Sequence, residues 1–229
     1  MTEEKTDLPK LQTSTKEWLD KLMVQARNQT VNPEEVSESL RISDREVTYD
    51  KFINFCNKFP QWKNKEIQYV FVKGWSRELA LQADRILPID SHSQIKTKLN
   101  VSFAPTEIKS HGDIDICLVN RDLEKEIIPI WRQYNIDENN VGKTLPDFLL
   151  YKEQDVEQSL RDYFCVVEFD NRDFIVPKPE VIFLANTHKN SEGNLRRPNV
   201  LRSLNEKYVL DLNLIDQIRK IPGVEKFIS

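Results

Sequence analysis

The segment HGDIDICLV, residues 111–119, sets two aspartates two positions apart in an otherwise apolar, β-branched run that follows a glycine. Successive side chains of a strand point to opposite faces. Asp113 and Asp115 should therefore share one face, about 6–7 Å apart along the chain, with Ile114 and Ile116 turned to the core. Two carboxylates held that close repel each other unless a cation sits between them. Mg²⁺ suits such a place, because it binds through one or two carboxylates together with the phosphates of a substrate. A third carboxylate on a neighbouring strand would allow two metals about 3.5–4 Å apart, the arrangement used for in-line phosphoryl and nucleotidyl transfer. VVEFD, residues 166–170, offers Glu168, with Asp170 and Asp173 as close rivals. The plainer account of an Asp-x-Asp pair is the solvated face of an edge strand.

A second stretch bears on the same chemistry. FVKGWS, residues 71–76, reads as a strand that ends at Gly74 and turns into a helix through Ser76. The free backbone amides of such a turn, and the helix amino terminus behind it, can hold phosphate. A glycine there has no Cβ to block close approach. The plainer account is an ordinary strand-to-helix turn. Lys73 can contact phosphate or only extend along the strand end into water. Trp75 can stack on a base or pack in the core, and packing is the commoner use. Lys189, Arg196 and Arg197 are either phosphate contacts or solvated surface charge. His111 is a general base or an incidental loop histidine. Asp211 reads as a helical residue paired with Lys207.

The elements that must position these groups are legible from periodicity. Residues 1–13 read as a loose tail, and helical spacing marks 14–29, 32–41 and 43–59, the last stopped by Pro60. Strands are expected at 67–72, near Ile86 and Val101, at 113–119 and at 163–170, which turns into 173–176. Helices are expected near 121–134 and 153–161, with 142–148 as loop and further helices from Pro177 onward. The division is a tail, a helical cap over 14–62, a core over 63–176 and a helical part over 177–229. Interleaved strands and helices give an α/β or α+β class, with a mixed sheet carrying 67–72, 113–119 and 163–170 as neighbours.

The 33 basic and 37 acidic residues leave a net charge of −4, so no general basic field advertises nucleic acid. No apolar run reaches the ~20 residues needed to span a bilayer. The acidic, polar amino terminus is unlike a secretory signal. Cys56, Cys117 and Cys165 show no CxxC spacing and fit reduced thiols. A cytoplasmic protein is the expectation.

Gly74-Trp75-Ser76, Asp113-Ile114-Asp115 and Val167-Glu168-Phe169 together resemble the three-part signature of the polymerase-beta-like nucleotidyltransferases. The likeness covers roughly residues 66–216. GW before a helix with HGDIDI downstream is similar to the lincosamide and aminoglycoside members. VPKPEVIFLANTHK followed by arginines and KYVLDLNLI is similar to the helical closing part of minimal, toxin-type members. Lys73 stands where many members have the first glycine, and the segment over 82–108 is longer than usual. The resemblance implies an enzyme in which Asp113 and Asp115 bind Mg²⁺ with a nucleoside triphosphate. Glu168 completes a second metal site, and the Gly74–Ser76 amides with the Ser76 hydroxyl hold the β and γ phosphates. A hydroxyl of a small molecule, RNA end or protein then takes the nucleoside monophosphate. Two other readings stand beside it: a degenerate member serving as a binding or antitoxin module, and a metal-dependent phosphodiesterase with another fold.

Overall fold

A computed structural model describes residues 8–29, 46–64, 66–89, 108–119, 123–131, 133 and 156–221. The helix expected at 32–41, the strand near Val101 and the loop at 142–148 lie outside these residues. The chain forms two compact units, one of residues 39–178 and one that joins residues 1–38 to 179–229. The expected cap over 14–62 is thereby divided, its first helix going with the carboxy-terminal helices.

In the unit of residues 39–178 the chain runs α2 (Tyr49–Lys58), β1 (Trp62–Lys63), β2 (Glu66–Ile67), β3 (Tyr69–Phe71) and α3 (Lys73–Gln82). It continues through β4 (Arg85–Pro88), β5 (Ile116–Leu118), α4 (Glu124–Trp131), α5 (Val156–Tyr163), β6 (Phe164–Phe169) and β7 (Arg172–Pro177). The class is α/β, as the interleaving implies. Every strand pair among the described residues is antiparallel, so the mixed sheet expected from the sequence is replaced by antiparallel ladders.

Thr48 caps α2 by accepting from the Lys51 amide, and the helix ends one residue before Phe59, as Pro60 requires. Its apolar face carries Phe52 and Phe55 into the core. Phe52 stacks on Trp75 at 4.1 Å between ring centres and meets Phe71 at 4.8 Å and Phe174 at 5.6 Å. Buried aromatic pairs of this kind contribute about 0.5–1.5 kcal/mol each beyond their area. This cluster fixes α2 and α3 on one face of the sheet.

β3 pairs with β5 in the register Phe71↔Ile116, and β6 lies between β4 and β7. β6 and β7 are joined through Asp170 and Asn171, both left-handed at φ 51° and 55°, the two-residue turn whose twist suits a hairpin. No backbone ladder joins β3 to β7. Instead the buried Gln61 side chain sits between them. Its amide nitrogen donates to Tyr69 O and Ile175 O, each at 3.1 Å, and its oxygen accepts from Ile175 N at 2.9 Å. β3 and β7 are neighbours across this side chain. The resulting strand order is β5-β3-β7-β6-β4.

The second unit packs α1 (Leu8–Asn28) on α7 (Pro198–Lys207) and α8 (Leu212–Arg219), with α6 (Pro179–Ala185) against α7 and α8. α1 begins at Leu8, inside what reads as a tail. Gln29 donates to Leu195 O and accepts from Leu195 N, and the Arg219 guanidinium lies 4.1 Å over the Trp18 ring. Asp211 is not inside a helix but stands at the start of one. It caps α8, accepting from the Asn213 and Leu214 amides. Burial pushes the Asp216 carboxyl up, but hydrogen bonds from Lys220 and Thr15 hold it below its ordinary value.

Candidate functional site

The strand-to-helix turn and the aspartate segment come together. The Val72 amide donates to Asp115 O at 3.1 Å, which carries the β3–β5 ladder one step beyond the strand ends. The Trp75 indole donates to Asp113 O at 3.0 Å, and the Trp131 indole of α4 donates to Ile114 O at 2.6 Å. Two tryptophans on separate helices therefore hold successive carbonyls of the acidic segment. The regular strand is only Ile116–Leu118; the aspartates stand just before it, on backbone fixed by these indoles.

Ile114 is fully buried, whereas Asp113 is exposed and Asp115 half-buried, so the two acids share the open side and the isoleucines the core. The Asp115 carboxyl is pushed up to about 6, first by burial and then by the Asp113 carboxylate beside it, with Lys73 pulling it the other way. The Lys73 ammonium lies 3.2 Å from Asp115 Oδ1. The acids expected to require a cation between them do have one close by, and it comes from the chain itself.

α3 starts at Lys73 with Val72 as its N-cap, and Val72 has no side chain that could cap it. The amides of its first turn are left for another acceptor, as at any uncapped helix start. Gly74 is required here, for a reason different from phosphate approach. A Cβ at Gly74 would come within 2.9 Å of His111 Nδ1, because the imidazole fills that space. His111 is itself anchored, its backbone exchanging two hydrogen bonds with Val47, and its ring stands edge-on to Trp75. His111 is thus part of the wall that joins the turn to the acidic segment.

Trp75 takes the commoner of its two uses, packing, and Ser76 is turned to the backbone. Trp75 is fully buried against Phe52, so its ring has no face open to a base. Ser76 is buried, and its hydroxyl donates to Lys73 O at 3.0 Å, bracing the turn instead of facing phosphate. Lys189 lies in the other unit, where it forms an isolated bridge with Leu195.

Glu168 is not brought to the aspartates. Its carboxylate faces Arg85 Nη1 at 3.7 Å across β4, and its backbone stands opposite Asp173 on β7. From β5 to β6 the order crosses both β3 and β7, so the two strands are not neighbours. The alternation within β6 is as expected, with Val167 fully buried and Glu168 half-exposed. It is the strand order that separates the acids. Asp173 lies beyond the turn, on β7, where it shares a cross-strand row with Glu168, and Asp170 accepts from the Tyr49 hydroxyl. Among the described residues, no three His, Cys, Asp or Glu side chains are grouped to hold a metal.

Trp131, which bonds the Ile114 carbonyl, and Phe52, which backs the Trp75 ring, also build the site, and neither stands out in the sequence as a functional residue. Only their place on the apolar stripes of α4 and α2 marked them, and that signal says core and no more.

A pair of carboxylates with one open side, a neighbouring cation and an uncapped helix start can bind a divalent cation through one or both acids and meet anionic phosphate with the helix amides. Compared with family models, curated proteins and solved structures, the chain finds no match.

Proposed function

We propose that the chain is a Mg²⁺-dependent nucleotidyltransferase that moves a nucleoside monophosphate from a nucleoside triphosphate to a hydroxyl acceptor. The observation that carries this reading is the convergence of the α3 start with the Asp113–Asp115 segment, through the Val72–Asp115 and Trp75–Asp113 hydrogen bonds. Backbone amides act on phosphate only at hydrogen-bond range, so the two halves of such a site must meet.

In this reading Asp113 and Asp115 hold the cation, and the uncapped amides at Lys73–Trp75 face the triphosphate. Bound Mg²⁺ neutralises charge on the phosphates and polarises the α-phosphoryl group. The acceptor hydroxyl oxygen forms a bond to the α-phosphorus and gives up its proton to water, while the bond to the bridging oxygen breaks and pyrophosphate leaves with that electron pair. The acids are oriented by indole donors on buried rings, so little reorganisation accompanies the step. Glu168, paired with Arg85, stands apart from this machinery. A two-metal version needs a third acid from elsewhere.

The Lys73–Asp115 ion pair also suits a second reading, a degenerate member that binds a partner and turns nothing over. Incubation with each α-labelled nucleoside triphosphate, Mg²⁺ and cell extract separates the two. The transferase reading expects label on an acceptor and release of pyrophosphate, both reduced at least ~100-fold in Asp113→Asn and Asp115→Asn and less than ~10-fold in Glu168→Gln. Absence of transfer with every nucleotide would favour the binding module.

A further inference from the structure

Lys73 is unusual in backbone as well as in charge. It adopts φ 53° at the first position of α3, a left-handed conformation that costs a lysine on the order of 1 kcal/mol or more. Its side chain returns from that turn to place Nζ 3.2 Å from Asp115 Oδ1 while remaining half-exposed. The next position cannot carry a side chain, because His111 fills the space where the Gly74 Cβ would be. Any cation presented to the acids from this turn must therefore come from residue 73. An ordinary surface ion pair contributes about 0–1 kcal/mol and does not by itself account for a strained backbone at the mouth of an acidic site.

We propose that Lys73 is a resident cation: its ammonium takes the place beside Asp115 that a divalent metal would occupy, so that the acid pair refuses free metal and admits it only with a polyanionic phosphate ligand. The inference rests on the nucleotidyltransferase reading for the identity of that ligand. An ammonium and a divalent cation repel at the same carboxylate, so metal alone must displace Lys73 without compensation. A triphosphate offers Lys73 a second anionic partner within the reach of its flexible stem, beside the α3 amides. Lys73 is thus a specificity residue that couples metal entry to nucleotide entry.

The test is calorimetric titration of Mn²⁺, with and without a non-hydrolysable nucleoside triphosphate, into wild type, Lys73→Met, Lys73→Gly and Lys73→Met/Asp115→Asn. Lys73→Gly removes the charge and also relieves the left-handed backbone, so it remains folded even if Lys73→Met does not. The expected result is that both single variants bind Mn²⁺ alone ~10-fold or more tightly than wild type. They should gain less from added nucleotide, and the double variant should lose the gain. Unchanged or weaker Mn²⁺ binding in both single variants, with wild type still binding the metal–nucleotide complex, would overturn the role of Lys73 and leave the transferase reading intact. No Mn²⁺ binding by any variant, with or without nucleotide, would overturn both.

Discussion

At Asp115 burial and the neighbouring Asp113 carboxylate oppose ionisation, and Lys73 favours it; the net shift is upward, to about 6. The consequence for stability follows from linkage. An unfolded aspartate releases its proton near its ordinary value of about 3.9, while the folded one keeps it to higher pH. Stability is therefore lost as pH rises from about 4 to about 6 and is level above that. Asp115→Asn, which cannot ionise, should match wild type in melting temperature near pH 4. At pH 7, without added metal, it should be more stable by roughly 2 kcal/mol. A gap that does not change between pH 4 and 7 would mean that the acid pair is not strained. Glycine at 74 was legible from the sequence as a place where a Cβ is excluded, but the excluded contact is the His111 ring. The residue type was readable; the partner lies 37 positions away and was not.

Among the elements, the local ones were the most legible. The β6–β7 hairpin, the order of strand, turn and helix at 67–82 and the helices from Pro177 onward follow from period and punctuation, which act over a few residues. What escaped was strand order, because a single side chain sets it. Gln61 takes the place of a backbone ladder between β3 and β7, and nothing in its local sequence distinguishes it from a surface glutamine. That seam puts β6 away from β5 and so removes Glu168 from the acid pair. Gln61→Leu keeps the volume but leaves Tyr69 O and the Ile175 amide and carbonyl buried without this partner. It should destabilise the fold by about 2–4 kcal/mol in denaturant melts. A loss under about 0.5 kcal/mol would show that β3 and β7 close the seam without it. The buried Trp75 and Trp131 illustrate a related limit. Periodicity places both in the core, but their indole donation to Asp113 O and Ile114 O is a property of the assembled elements.

In the whole molecule the acid pair, the Lys73 turn and the indole donors all belong to the unit of residues 39–178. The other unit gathers α1 with the carboxy-terminal helices, an association across almost the full length of the chain that no local pattern encodes. Among the described residues no helix is long and apolar enough to cross a membrane. In the proposed function the Asp113–Asp115 pair and the start of α3 form one nucleotide site. The most direct measurement is calorimetric titration of a Mg²⁺-bound, non-hydrolysable nucleoside triphosphate into wild type and Asp115→Asn at pH 7.5, with melting curves for both. Micromolar-range binding to wild type is expected, weakened at least ~100-fold in Asp115→Asn, whose melting temperature is equal or higher. Equal affinity in the two proteins would contradict it and place any nucleotide site away from these acids.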